Sequence, residues 1–211
     1  MLRILIYTFF FSLLLFPNII LAQEYGVKGG FNSGRLIGNQ IPGESEPVLG
    51  YSAACFASFH IKKDVFVMGE VTFSKQGGKI RDIIKGGRYN GFYEVHEDLQ
   101  YLKFPISFRY ETYRRLESNF YFSIGLSPGF LINSNTQKYA EIDNLEVPAE
   151  MYFPYTLNKY NIEVLGSIAA IWRWFIFELR YYNGLGGVYK GKDAIIARNS
   201  LICLQVGLFL F

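Results

Sequence analysis

Histidine and cysteine are nearly missing from this sequence: its 211 residues contain only His60, His96, Cys55 and Cys203. Two imidazoles without a regular spacing give little basis for a nucleophile and its base, or for a metal cage. His60 falls at a short connection, and His96 in an acidic stretch with Glu94, Glu97 and Asp98; a rim residue and a solvated loop are the ordinary readings. No catalytic, cofactor-binding or metal-binding residue is therefore assigned, and no cofactor is expected. The glycine pairs Gly77-Gly78, Gly86-Gly87 and Gly186-Gly187 have no strand-to-helix context, so they punctuate turns rather than cradle a phosphate. The cysteines stand in the second and last of the strand-like segments described below. With the first strand between them in a closed sheet, their backbones lie roughly 9 to 10 Å apart, beyond the ~7 Å reach of a disulfide. Two buried free thiols are expected.

Charge is also sparse. Asp, Glu, Lys and Arg make up 18% of the chain, below the ~25% of ordinary globular domains. Lys and Arg exceed Asp and Glu by 21 to 18, too small a surplus for a nucleic-acid partner. Beyond residue 22 no apolar run approaches the ~20 residues of a membrane helix. Residues 1–22 have the form of a cleaved export signal: Met1-Leu2-Arg3, an apolar stretch from Ile4 to Phe16, and Ile20-Leu21-Ala22 before Gln23. Pro17 and Asn18 argue against a spanning helix there. What abounds is aromatic, with 20 Phe and 16 Tyr in the whole chain, most of them spread through 23–211 in short pieces.

Those pieces alternate with a period of two, the mark of strands with one apolar face. Eight segments result: 25–32, 50–60, 65–76, 99–110, 119–131, 160–170, 174–183 and 199–211. The fourth is the clearest, with Leu102, Phe104, Ile106, Phe108 and Tyr110 on one side and Lys103, Ser107 and Arg109 on the other. Gaps between segments run long, short, long, short, long, short, long. Transmembrane barrels have this asymmetry, with short periplasmic turns and longer outer loops. The short-gap ends carry Phe59, Tyr110, Tyr113, Phe120, Trp172, Trp174 and Phe211, rings suited to the headgroup level. The reading is an all-β, eight-stranded antiparallel up-and-down transmembrane β-barrel in the outer membrane of a Gram-negative bacterium. The loops around Arg81, Asn144 and Lys192 should lie outside the cell.

Seven charged residues fall on the inward register: Lys28, Glu70, Lys103, Arg109, Glu163, Glu178 and Arg180. Ionisable groups at membrane depth need partners, and an eight-stranded barrel has room inside only for side chains. A plug of ion pairs is expected, with Glu70, Lys103, Glu163 and Arg180 in one network; a narrow path for very small solutes is the alternative. In the last segment, turning Phe209 and Phe211 to lipid also turns Gln205 to lipid. A β-bulge between Gln205 and Phe209 reconciles the two and is the expectation.

Four stretches resemble the PorT-like outer membrane protein beta-barrel domain family: Gly26-Val27-Lys28-Gly29-Gly30-Phe31-Asn32, Glu70 to Lys79, Tyr101-Leu102-Lys103-Phe104-Pro105-Ile106, and Glu178 to Leu185. In that family's usual ending a glycine lies three residues before the last Phe, whereas Gly207 lies four before Phe211. The resemblance implies an outer-membrane barrel and admits a role as accessory to an envelope machine such as a secretion system. From the residues themselves, a structural or recognition role carried by the outer loops is the first reading. Expected partners are outer-membrane lipids, barrel-assembly machinery reading the last strand through Phe211, and envelope proteins. Lys79, Arg81, Lys85 and Arg88, in the second long gap, could contact lipopolysaccharide phosphates.

Overall fold

A computed structural model of the chain describes residues 24–38, 44–86, 89–115, 118–142, 145–146, 156–190 and 197–210. The export signal of residues 1–22, Arg88, Asn144, Lys192 and Phe211 lie outside them. In chain order the strands are β1 (Glu24–Ile37), β2 (Glu44–Lys62), β3 (Val65–Gly86), β4 (Tyr89–Lys103), β5 (Ile106–Arg115), β6 (Ser118–Ile142), β7 (Leu145–Glu146), β8 (Thr156–Leu157), β9 (Tyr160–Trp172), β10 (Phe175–Gly184), β11 (Tyr189–Lys190) and β12 (Arg198–Phe209).

Every large neighbour pair is antiparallel, and the ring closes. β1 lies between β2 and β12, β12 pairs β10, β10 pairs β9, and β9 pairs β6. β4 and β5 together form one wall between β6 and β3, and β3 returns to β2. Eight walls result, with no open edge at membrane depth. The break at Phe104 and Pro105 follows from proline's missing N–H. The ladder survives it, because Glu70 N donates to Pro105 O at 2.9 Å and Phe104 N donates to Pro128 O at 2.8 Å.

Strand faces follow the alternation. Phe120, Phe122, Ile124 and Leu126 of β6 are exposed outward, as are Phe175, Phe177, Leu179 and Tyr181 of β10, while Tyr121, Ser123, Glu178 and Arg180 are buried between them. Removing an outward apolar residue from lipid would bring no gain, so the band is read as the bilayer-facing surface.

Three sequence expectations change. First, the last strand contains no bulge: β12 pairs β1 without a break from Gly26↔Phe209 to Ile37↔Arg198. Gln205 and Phe209 both point inward, and Leu204, Val206 and Leu208 point outward. Glycine is the reason the inward register works. Gly207 stands directly across from Lys28, and a Cβ there would lie 2.6 Å from Lys28 Cγ. Second, Cys55 is not buried but faces outward, whereas Cys203 is buried; both are free thiols. They pair to β1 at Val27 and Asn32 respectively, five positions apart along that strand and on opposite faces.

Third, the long gaps are largely strand rather than loop. β3 has 22 residues and β6 has 25, against the ~9–11 that cross a membrane. β3 and β4 stay paired as far as Gly86↔Tyr89, and β6 follows β4 to Ile142. The walls therefore continue past the bilayer as a protruding sheet. Register shifts sit where it leaves the barrel, between Pro47 and Tyr51 in β2 and opposite Gln100 and Tyr101 on β6, and such irregularities bend strands.

Candidate functional site: the paired lumen and the outer cap

The lumen is built in levels, set by where each inward residue falls along β3. Nearest the short turns, Arg109 reaches Glu24 at 2.7 Å and donates to Ser58 Oγ at 3.2 Å. It also bridges to Glu111. Its guanidinium lies 4.7 Å from the centroid of Phe66 and 5.0 Å from that of Tyr121. Beside it, Phe56, Met68, Tyr121, Ile171, Ile176 and Phe209 pack into one apolar cluster, which seals this end. Below the seal, a cup of about 250 Å³ opens between Glu24, Glu111, Asn119, Arg173 and Trp174.

The middle level is a four-residue ion cluster. Lys28 Nζ lies 2.9 Å from Glu70 Oε1 and 2.9 Å from Glu178 Oε2. Arg180 donates to both oxygens of Glu70, at 2.7 and 2.9 Å. It also donates to Glu178 Oε1 from Nε at 3.0 Å and from Nη2 at 2.7 Å. A further guanidinium N–H goes to Tyr182 Oη at 2.9 Å. None of the four side chains retains any exposed surface. Two cations and two anions close on each other, which is how charges persist in a low-dielectric interior.

Above this, Lys103 donates to Glu163 Oε2 at 2.6 Å and to Gln76 Oε1 at 2.7 Å. Asn161 and Gln76 donate to the other carboxylate oxygen of Glu163, at 2.8 and 3.3 Å. The ammonium also sits 4.6 Å from the Tyr182 ring centroid. Here too the cross-strand partner is a glycine, Gly129, which leaves room for the lysine stem.

All seven inward charges of the sequence reading are thus buried, each with a partner. The expected single network is corrected: Glu70 and Arg180 belong to the middle cluster, and Lys103 and Glu163 to the upper one. Among the described residues no ion pair joins Glu70 to Lys103, and Tyr182 lies between the two levels, accepting from Arg180 and under the Lys103 ammonium. Glu111 and Glu24 were missed as partners of Arg109. Glu111 has the parity of Arg109 and Ser107, so the alternation carries the signal, but Glu111 lies one residue past the end of the fourth segment at Tyr110.

The protruding sheet has a core of its own. Leu36, Ile80, Val95, Leu99 and Ala140 are fully buried there, with Tyr93, Tyr101, Val188 and Tyr189. The short β8–β11 pair, Leu157↔Tyr189, lies across it, and Leu157 packs against that core. Glu97 enters this core and accepts from Thr136 Oγ1 at 2.7 Å and from Tyr189 Oη at 3.4 Å. Burial raises its carboxyl above the ordinary range, opposed by those two donors.

On the outward side of the same sheet, ion pairs join the aromatic pair Phe92 and Tyr139. Lys75 meets Asp98 at 3.2 Å, and Lys79 meets Glu94 at 3.0 Å and Glu46 at 3.6 Å. The Arg81 guanidinium lies 4.9 Å from the Phe92 ring centroid. Of the four cations proposed for lipopolysaccharide, Lys79 is thus shared between two carboxylates and Arg81 is exposed. The Lys85 side chain and Arg88 are outside the described residues. His96 stands 3.7 Å from Asp98, and His60 Nε2 contacts Lys63 O at 2.9 Å at the opposite end.

Residues 21–190 match the family described as outer membrane protein beta-barrel domain. No curated protein matches the chain. Among solved structures it is similar to Ail of Yersinia pestis, crystallised with a heparin analogue, at 10% identity, covering 89% of this chain and 98% of that one, TM-score 0.42. A second is Neisserial surface protein A, at 10% identity, 87% and 96% coverage and TM-score 0.43. A third is the N-terminal barrel of Pseudomonas aeruginosa OprF, at 8% identity, 88% and 97% coverage and TM-score 0.36.

Proposed function

The chain belongs to the outer membrane protein beta-barrel domain family, and from that premise we propose that it is a closed, non-enzymatic barrel of the Gram-negative outer membrane that works through its outer cap. Residues 1–22 are its export signal, removed on passage. The observation that carries this reading is the contrast between the two ends of the same strands. Inside the membrane the seven charged residues of the inward face are buried in ion pairs; above it the inward face is a mainly apolar core that holds Glu97, and ion pairs lie on the outward face. A channel needs a continuous wet path, whereas here the ion clusters end on an aromatic seal at one side and on the apolar core of the cap at the other. Rigid scaffolds that hold a surface out from the membrane are suited to recognition. Exposed Arg81, with Lys79 beside it, gives that surface a site for lipopolysaccharide phosphate. The finer kinship, to the PorT-like barrels, draws on the four sequence stretches and would use the same cap to dock an envelope machine.

Two measurements test the proposal. Purified protein in a planar bilayer should pass no steady current; regular unitary conductance would put the channel reading in its place. Cysteine introduced for Arg81 should react with a membrane-impermeant maleimide on intact cells, and cysteine for Lys62 should not. Labelling at Lys62 alone would invert the barrel.

A further inference from the structure

One carboxylate of the cap is held unlike those of the lumen. Of the carboxylates buried among the described residues, Glu70 and Glu178 meet Lys28 and Arg180, Glu163 meets Lys103, and Glu111 meets Arg109. Glu97 is 1% exposed and is held only by hydroxyls, accepting from Thr136 Oγ1 at 2.7 Å and from Tyr189 Oη at 3.4 Å. A carboxylate without a cation is costly to bury, so such a place favours the neutral acid. Its surroundings do not reverse that preference. Lys138 of β6 and His96, on the other face of β4, pull against the effect of burial without overcoming it. Tyr93 and Tyr101 of β4 and Tyr189 of β11 are phenols, while Gly78 and Ile80 of β3, Leu36 of β1, Leu157 of β8 and Ala197 beside β12 do not titrate. Glu94 and Asp98 are turned to Lys79 and Lys75 on the outward face, and Arg35, Lys190 and Arg198 are exposed.

Tyr189 belongs to a part of the cap with little backbone support. The strap that carries it crosses the sheet as the pair Leu157↔Tyr189 and Thr156↔Lys190, with Asn158 N donating to Val188 O and Val188 N to Ala197 O, both at 2.7 Å. By contrast, β3, β4 and β6 are joined by unbroken ladders from Gly91 to Leu99 of β4. Val188 and Tyr189 are buried against that sheet, so the Tyr189 hydroxyl ties the strap to Glu97 through the core. An ionised Glu97 needs water. The strap, with few backbone bonds, is the element that opens most readily to admit it.

We propose that Glu97 is a proton-operated latch of the outer cap: with the acid neutral the strap lies closed on the sheet, and loss of the proton releases Tyr189 and loosens the strap. The direction follows from burial, which raises the Glu97 carboxyl. A carboxyl raised on folding contributes stability that is complete below its unfolded value and is lost as pH rises through its folded one. The outward ion pairs Lys75–Asp98 and Lys79–Glu94 weaken in acid and so work the other way, which separates them from the latch. That the external medium sets the latch rests on the orientation proposed above; the latch itself does not.

The test is hydrogen–deuterium exchange of the purified full-length protein in detergent micelles, read by mass spectrometry and corrected for the pH dependence of intrinsic exchange. The range runs from about pH 4.5, near the ordinary glutamate value, to about pH 8. Protection of the Asn158 and Val188 amides should fall across it by about fivefold or more, the lower end of ordinary coupling between linked sites. Strand β10 should keep its protection throughout. In Glu97→Gln, which keeps the shape of the neutral acid, strap protection should stay near the acid value at every pH. Should that variant fail to give the compact folded band, Tyr189→Phe makes the comparison: it should lower strap protection in acid and leave it unchanged at the upper pH, where the hydroxyl is already released. Wild-type strap protection that does not depend on pH overturns the proposal. So does an undiminished dependence in Glu97→Gln, an equal loss at both ends in Tyr189→Phe, or a parallel fall in β10, which would make the effect a property of the whole barrel. Maleimide labelling at Lys62 would change which medium sets the latch and leave the latch standing, whereas a strap indifferent to pH would leave the orientation untouched.

Discussion

Glu70→Ala should leave most of the protein unable to reach its compact folded form. Glu70 accepts from Lys28 at 2.9 Å and from Arg180 at 2.7 and 2.9 Å, with no exposed surface on any of the three side chains. Without its carboxylate, two cations share Glu178 alone and the cluster carries a net positive charge that water cannot reach. Breaking one partner out of a buried ion cluster costs about 3–5 kcal/mol, a large share of the ~5–15 kcal/mol that separates folded from unfolded chains. The loss should appear as a missing heat-modifiable band after refolding into lipid and as a lowered urea midpoint. Adding Arg180→Met should restore part of the loss, because the charge left unpaired is removed with it. Adding Lys103→Met to Glu70→Ala should instead give the sum of the two single costs, since Lys103 is held by Glu163 at 2.6 Å in a separate level. Coupling between Glu70 and Lys103 as strong as that between Glu70 and Arg180 would dissolve the division into two clusters.

That division marks where the sequence stopped being informative. Period-two parity gives the face of a residue, and it was enough to place all seven lumen charges inward. Depth is another matter, because it depends on how far each strand is staggered against the next. Arg180 rather than Lys103 meets Glu70 because of that stagger, which no single segment encodes. The protruding sheet was missed for a different reason. Parity continues unbroken along β3, but the chemistry of the two faces exchanges at the membrane boundary: Val71 and Phe73 point outward in the barrel, while Lys75 and Lys79 point outward above it and Ile80 points inward. A search for outward apolar residues ends at Phe73 and reads the rest as loop. The same reading cut the fourth segment at Tyr110 and lost Glu111. In the last strand, attention to Phe209 and Phe211 suggested a bulge, whereas Gly207 across from Lys28 shows that the inward face is fixed by the space a lysine needs.

The exchange of faces also predicts that barrel and cap can be separated. Leu99→Asp should unfold the sheet above the membrane while the barrel stays closed. Leu99 is fully buried among Leu36, Ile80, Val95 and Tyr101, and no cation among these neighbours could receive a carboxylate, which is costly to bury unpaired. Even the milder Leu99→Ala should cost about 2–5 kcal/mol through lost burial and the cavity left behind. Membrane-level contacts are untouched by either change, since the Lys28, Glu70, Glu178 and Arg180 cluster and the lipid-facing rings lie below. Trypsin added to intact cells should therefore spare the wild type at Lys79 and Arg81, because both stand in a paired strand. It should cut the Leu99→Asp protein at those residues, with the heat-modifiable barrel band persisting and Leu99→Ala falling between. Resistance of Leu99→Asp to the protease would mean that the apolar core does not hold the sheet together. Loss of the barrel band along with the cap would mean that the two fold as one unit, with the outer core as necessary to the barrel as the ion clusters beneath it.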